Sequence, residues 1–200
     1  SGPEGRAALP RLLVISFVTA AAVGAFEVGL SLRGMQVLDM STYQIGLMFS
    51  VCSLVMLVAQ TIVFSPLVKP ETTRWFLTPA LVVLAVSVAA VPFAAATVPT
   101  AIVVAAIAAS AGILSPIATY WISLSAGERQ GAELGRQTAA ASLGQAAGSA
   151  AGGLLFGVSF VPNAPFTLTA LVVLGGVVAS LGIPGLLARV NSPAALETAH

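Results

Sequence analysis

The sequence predicts an all-α membrane protein with six transmembrane helices arranged as two inverted three-helix repeats. Three observations carry that expectation. Hydrophobic residues make up 58% of the 200-residue chain and charged residues only 8%, against roughly 25% charge in soluble domains, and the mean hydropathy is +1.01. Six apolar runs, at about 11–32, 43–65, 75–96, 99–124, 137–160 and 166–187, each reach the roughly 18 residues that a helix needs to cross a bilayer. The second run of each triplet carries a mid-span glutamine, Gln60 and Gln145, and the third of each is mostly Val, Leu and Ala. Because each triplet has an odd number of spans, the second enters from the opposite side of the membrane, as inverted-topology repeats do.

The first run, LLVISFVTAAAVGAFEVGLSL (12–32), holds an isolated acid, Glu27. An ionisable group at membrane depth is costly, so it faces a protein interior or a wet cavity. On a helical wheel Ser16, Thr19, Ala20, Val23, Gly24, Glu27 and Ser31 share an arc of about 140°. At 1.5 Å per residue Glu27 lies about 24 Å along the axis from Arg11, in the outer third of the hydrocarbon layer. Two roles stay open for it: handling a proton or substrate, or hydrogen bonding to a neighbouring helix or to outer-face water.

The second run follows the connection RGMQVLDMST (33–42), which ends in Ser41 and Thr42 as helix caps. Tyr43 opens this run, and Phe49, Ser53, Met56, Gln60 and Phe64 share a face on it. Such an adaptable apolar surface with polar handles suits an amphipathic organic molecule, or simple core packing. The third run follows the charged connection KPETTR (69–74), and a short turn around 97–100 leads to the fourth. There Pro116 interrupts the backbone hydrogen-bond ladder and predicts a kink, with Ser115, Thr119 and Ser123 on one side near the break. Tyr120 and Trp121 are expected as interfacial anchors. In the next connection, GERQGAELGR (127–136), Glu128 and Glu133 are expected as solvated loop residues balanced by Arg129 and Arg136.

The fifth run is the most patterned. Thr138, Ser142, Gln145 and Ser149 lie within about 60° of one another, beside Gly144, Gly148 and Gly152. Glycines four residues apart remove side-chain bulk and let another helix approach closely. The segment VPNAP (161–165) leads to the sixth run.

Charge placement predicts orientation. Arg6, Arg11, Lys69, Arg74, Arg129, Arg136 and Arg189 fall on one side of the membrane and Arg33 alone on the other. Cytoplasmic loops carry the excess of Lys and Arg, so both termini are expected in the cytoplasm, in a cell or inner membrane. The chain starts with Ser, and SGPEGRAAL (1–9) has the character of a linker or an upstream cut, which suggests a piece of something longer. Residues 10–189 are then the transmembrane domain and 190–200 a tail. With Cys52 the only cysteine and His200 the only histidine, no cofactor, metal or iron–sulfur site is expected. A Ser-His dyad is equally implausible. No acidic pair lies within a span, which argues against a membrane enzyme, and a net charge of +1 gives no indication of nucleic acid.

The stretch FEVGLSLRGMQVLDMSTYQIGLMFSVCSLVMLVAQTIVFSPLVK (26–69) resembles the first two helices of one half of a major facilitator superfamily transporter of the drug:proton antiporter type. GRQTAAASLGQAAGSAAGGLLFG (135–157) is similar to the glycine-rich eleventh helix of such proteins. The resemblance implies the C-terminal six-helix half of a twelve-helix fold, the first and fourth spans lining a central cavity and the second and fifth facing the other half. SPLVKPETTR (65–74) lacks the Asp-Arg pair of the family's G-x-x-x-D-R-x-G-R/K signature, as fits a C-terminal half. The implied function is secondary active efflux of a small amphipathic organic substrate by alternating access, coupled to protons. Glu27 would be the protonatable group, and Tyr43, Gln60, Ser142 and Gln145 the pathway contacts. Implied partners are the lipid bilayer, the substrate and protons, and the missing N-terminal half or a second copy. A transporter-like module that no longer transports and serves as a membrane anchor is the alternative.

Overall fold

The computed structural model describes residues 3–65, 68–157 and 163–190. They form α1 (Pro3–Gln36), α2 (Thr42–Val63), α3 (Leu77–Ala90), α4 (Thr97–Ala126), α5 (Gln130–Phe156), α6 (Ala164–Ser180) and α7 (Ile183–Val190), with 3-10 turns at Pro70–Phe76, Val91–Phe93 and Gly127–Arg129. Among the described residues, five helical stretches are long and apolar enough to cross a membrane, and one of them, Thr97–Phe156, contains both α4 and α5. The break between those two is at Gly127, whose φ of 57° a side chain would resist.

The segment boundaries differ from the expected ones at four places. Helix α1 runs back to Pro3, so residues 3–9 are helical rather than linker-like. Ala8 and Leu12 are fully buried there, and α7 packs against α1. Thr97 already lies within α4, so the turn expected at 97–100 falls earlier; the Thr100 hydroxyl ties the first turn to the Ala96 carbonyl at 2.8 Å. Only Gly127–Arg129 of the connection 127–136 lies outside α-helix. The run expected as continuous over 166–187 is divided at Gly182 (φ 88°) into α6 and α7. The connection 161–165 is described only from residue 163, and the tail beyond 190, with His200, lies outside the described residues.

Local chemistry starts α2. The Ser41 hydroxyl accepts from the Gln44 amide at 3.3 Å, and the Gln44 side chain accepts from the Ser41 amide at 2.8 Å, a reciprocal capping box. Helix α4 continues through Pro116. A proline there cannot donate to the carbonyl four residues earlier, and at that residue, Gly112, α2 packs tightly: a Cβ on it would lie 2.8 Å from the Met56 carbonyl oxygen.

Side-chain contacts fix the helix directions. Helices α1 and α5 run parallel, because Gly144, Gly148 and Gly152 sit in turn on the backbone of Phe17, Ala21 and Ala25. Helix α6 runs opposite to α1, since Arg11 donates to the Leu181 carbonyl at 3.3 Å and Phe166 packs on Gly29. Thr78 and Ser180 hydroxyls meet at 2.9 Å, which sets α3 against α6. Trp121 donates through Nε1 to the Thr73 hydroxyl at 3.0 Å and joins the end of α4 to the turn before α3. Trp121 is fully buried, with Tyr120 edge-on to it at 5.4 Å, so it is a core residue rather than an interfacial anchor. At the other end, Arg33 donates to the carbonyls of Pro92 (2.9 Å) and Ala94 (3.3 Å) and closes the turn after α3. The long helices therefore alternate in direction along the chain.

Candidate functional site

Helices α1, α2, α4 and α5 border a partly open cavity of about 190 Å³. Ser16 and Thr19 enter it from α1, Met56 from α2, Ser115 from α4, and Gln137 and Gln145 from α5. The α1–α5 seam explains why these groups converge. A Cβ on Gly24 would lie 2.8 Å from the Ser149 hydroxyl oxygen, and with glycine there the α5 backbone at Gln145 reaches α1 one turn before Glu27. Gln145 Nε2 then donates to Glu27 Oε2 at 3.4 Å. Gln145 thus lines the cavity and holds the carboxylate at its Arg33 end.

Glu27 does not itself line that cavity. It faces a second pocket of about 360 Å³ with Ser31 and Phe49. The Ser31 hydroxyl donates to the Glu27 backbone carbonyl at 2.8 Å and leaves the carboxylate to Gln145. Toward the opposite end, Gln137 Nε2 donates to the Thr119 hydroxyl at 2.8 Å. Beyond that bond lies a third pocket of about 510 Å³ lined by Gln60, Phe64, Thr119 and Tyr120. Ser115 borders both this pocket and the central cavity.

The five residues singled out from sequence separate accordingly. Glu27 and Gln145, 118 positions apart, are hydrogen bonded, and Gln60 lies in the third pocket. Ser142 is exposed on α5 and Tyr43 is exposed at the start of α2; neither is among the residues lining these three pockets. Gly144, Gly148 and Gly152 are all buried against α1. Gln137 is a further buried residue of the site that the sequence reading passed over; its signal was a glutamine two helical turns before Gln145. Glu133, expected as a solvated loop residue, lies in the first turn of α5 and is buried, with Arg136 at 3.0 Å from Oε1. Helix α5 begins at Gln130 and carries Glu133 onto the same ridge as Gln137 and Gly144. Among the described residues no cluster of His, Cys, Asp or Glu could hold a metal ion.

A neutral hydrogen-bonding cavity that meets a carboxylate through one amide, inside a bundle of apolar helices, has the parts of a solute pathway. Compared with known families, residues 9–198 match the Major Facilitator Superfamily. The chain belongs to the Major Facilitator Superfamily. It is a multi-pass membrane protein of a transporter family, and the exposed apolar faces of its helices contact lipid. Neither a curated protein nor a solved structure matches it. Within this superfamily member the central cavity, bordered by both α1 and α4, is the candidate solute site.

Proposed function

We propose that the chain is a six-helix half of a secondary transporter that moves a small amphipathic organic substrate by alternating access, driven by protons. The observation that carries this reading is the Gln145–Glu27 hydrogen bond, which joins a carboxylate to the cavity lining. Protonation of Glu27 removes the charge that Gln145 answers and frees the amide to turn toward the cavity. Proton occupancy and substrate affinity are then linked, and linkage of this kind acts in both directions.

Support for two inverted triplets comes from the pairing of helices. Exchanging α1–α2–α3 with α4–α5–α6 turns the α1–α5 contact into α4–α2 and the α1–α6 contact into α4–α3, and all four are extensive. Gly24 and Gly112 correspond under this exchange, each admitting a backbone from the other triplet. The placement of Arg6, Arg11, Lys69, Arg74, Arg129 and Arg136 supports cytoplasmic termini in an inner membrane. Exposed Ser142 and Gln145 on α5, with Ser53 on α2, support a partner of like architecture against this face. We take that partner as an N-terminal half or a second copy, and the direction of transport as efflux in exchange for protons.

The test uses everted membrane vesicles with an imposed pH gradient and a set of amphipathic fluorescent dyes. The expected result is uphill dye movement that collapses when a protonophore is added and is weakened at least tenfold in Gln145→Leu. Movement that ignores the protonophore, or an unchanged rate in Gln145→Leu, contradicts the proposal.

A further inference from the structure

We infer that the central cavity is a binding site for an uncharged, hydrogen-bonding ligand about the size of one substituted ring, and that the hydroxyls of Ser16 and Thr19 grip it. This rests on reading the cavity as the solute site and names the chemical class of the solute.

The first ground is how hydroxyls behave elsewhere in these helices. Ser50, Ser53, Thr61, Ser110, Thr119 and Thr138 each donate to the carbonyl four residues earlier, at 2.8 to 3.0 Å. Such back-bonding is the default of a helical serine or threonine with no other partner. Ser16, Thr19 and Ser125 depart from it, and of these three Ser16 and Thr19 line the cavity: they are only 7% and 6% exposed, and Ser16 Oγ and Thr19 Oγ1 have no hydrogen-bond partner. Buried polar atoms are almost always satisfied, so an unsatisfied pair facing the same cavity marks a missing partner.

The second ground is charge. The lining consists of serine, threonine and glutamine side chains with Ala, Val, Leu and Met, and contains no ionisable group. Glu27 lies outside it and is held by Gln145. An anion in the cavity would be desolvated without a counter-charge and a cation would meet the Glu27 carboxylate only across the Gln145 amide, which is far costlier than burying a neutral amide or hydroxyl that finds partners. Val23, Met56 and Leu114 give the ligand apolar walls. Size is the third ground. A closed apolar protein cavity of about 150 Å³ takes benzene, so about 190 Å³ in a cavity that is open on one side has room for at least a ring with one polar substituent.

Benzamide, benzoate and benzamidine share a shape and differ in charge, which makes them a matched probe set. Their equilibrium binding is measured by calorimetry and saturation-transfer NMR on the protein in lipid nanodiscs, with no gradient. Saturable benzamide binding is expected, with benzoate and benzamidine at least tenfold weaker. In Ser16→Ala/Thr19→Val benzamide weakens at least tenfold, while the melting temperature of the ligand-free protein holds or rises, since two unsatisfied hydroxyls are gone. Charged probes that match benzamide overturn the inference, as does an absence of saturable benzamide binding. So does a double variant that binds as well as the parent, and the wild-type comparison stands even if that variant does not fold. A Glu27→Gln protein that still pumps uphill yet keeps benzamide selectivity defeats proton coupling through Glu27 and supports the neutral site. Proton coupling through Glu27 with benzoate equal to benzamide does the reverse.

Discussion

Helices α1 and α2 have nearly the same hydropathy, yet 61% of the apolar window of α1 is buried within the bundle and only 11% of that of α2. The difference lies in residue size rather than apolarity. The inner face of α1 presents Ala21, Gly24 and Ala25, which meet Gly148, Ser149 and Gly152 at backbone distance. The outer face of α2 presents Leu47, Val51, Leu54, Leu57 and Val58, all exposed. In a bilayer, lipid tails solvate leucine as well as another helix does, so large apolar residues give no drive to associate and small ones allow close packing. Hydropathy therefore identifies both helices as membrane segments, and the small residues identify the one that holds the bundle together.

That contrast is broken most severely at Gly148. A Cβ there meets the Ala21 backbone, which cannot step aside as a flexible side chain can. Gly148→Leu is expected to cost about 3 kcal/mol by overpacking, more than the roughly 1 kcal/mol of helix propensity it gains; thermal unfolding in detergent measures the loss. Next comes a contact made by side chains instead of backbone. Thr73→Val leaves the buried Trp121 Nε1 without its acceptor, and about 2 kcal/mol is the expected cost, seen in the same unfolding curves. Gly175 on α6 has open space where Gly148 has none. Gly175→Ala should stabilise by up to about 1 kcal/mol, and a loss there would show that helix propensity does not carry over to this bundle. Smallest of all, Leu54→Ala on the exposed face of α2 should stay within about 0.5 kcal/mol. A larger loss in native membranes would reveal that a partner covers this face.

The fold was legible in the sequence wherever one residue type forces one outcome. Each apolar run coincides with a helix, although helix ends lie up to eight residues from those expected, and Gly144, Gly148 and Gly152 lie where a four-residue spacing puts them, along one ridge. The ends of helices were less legible. Whether residues 3–9 are helical depends on α7 packing against α1, and the division at Gly182 depends on a backbone angle that glycine permits without demanding.

The site was legible in part. Glu27 and Gln145 each stood out as polar groups in apolar runs, but their meeting across 118 residues follows from the α1–α5 register, which no local pattern encodes. Ser16 and Thr19 share the helical face of Glu27, and what sets them apart is the missing back-bond, a property of coordinates alone. Glu133 was misplaced because a charged, glycine-containing segment has the composition of a loop, whereas its burial comes from α5 starting at Gln130.

The central claim is that Glu27 couples a proton to the cavity through Gln145. Its most direct test compares two rates for Glu27→Gln in proteoliposomes: substrate exchange at equal pH on both sides, and uphill transport under a pH gradient. The account predicts exchange close to that of the wild-type protein and uphill transport reduced to background, because a permanently neutral side chain leaves the pathway in place and removes the proton from the cycle. Uphill transport at the wild-type rate in Glu27→Gln would contradict it.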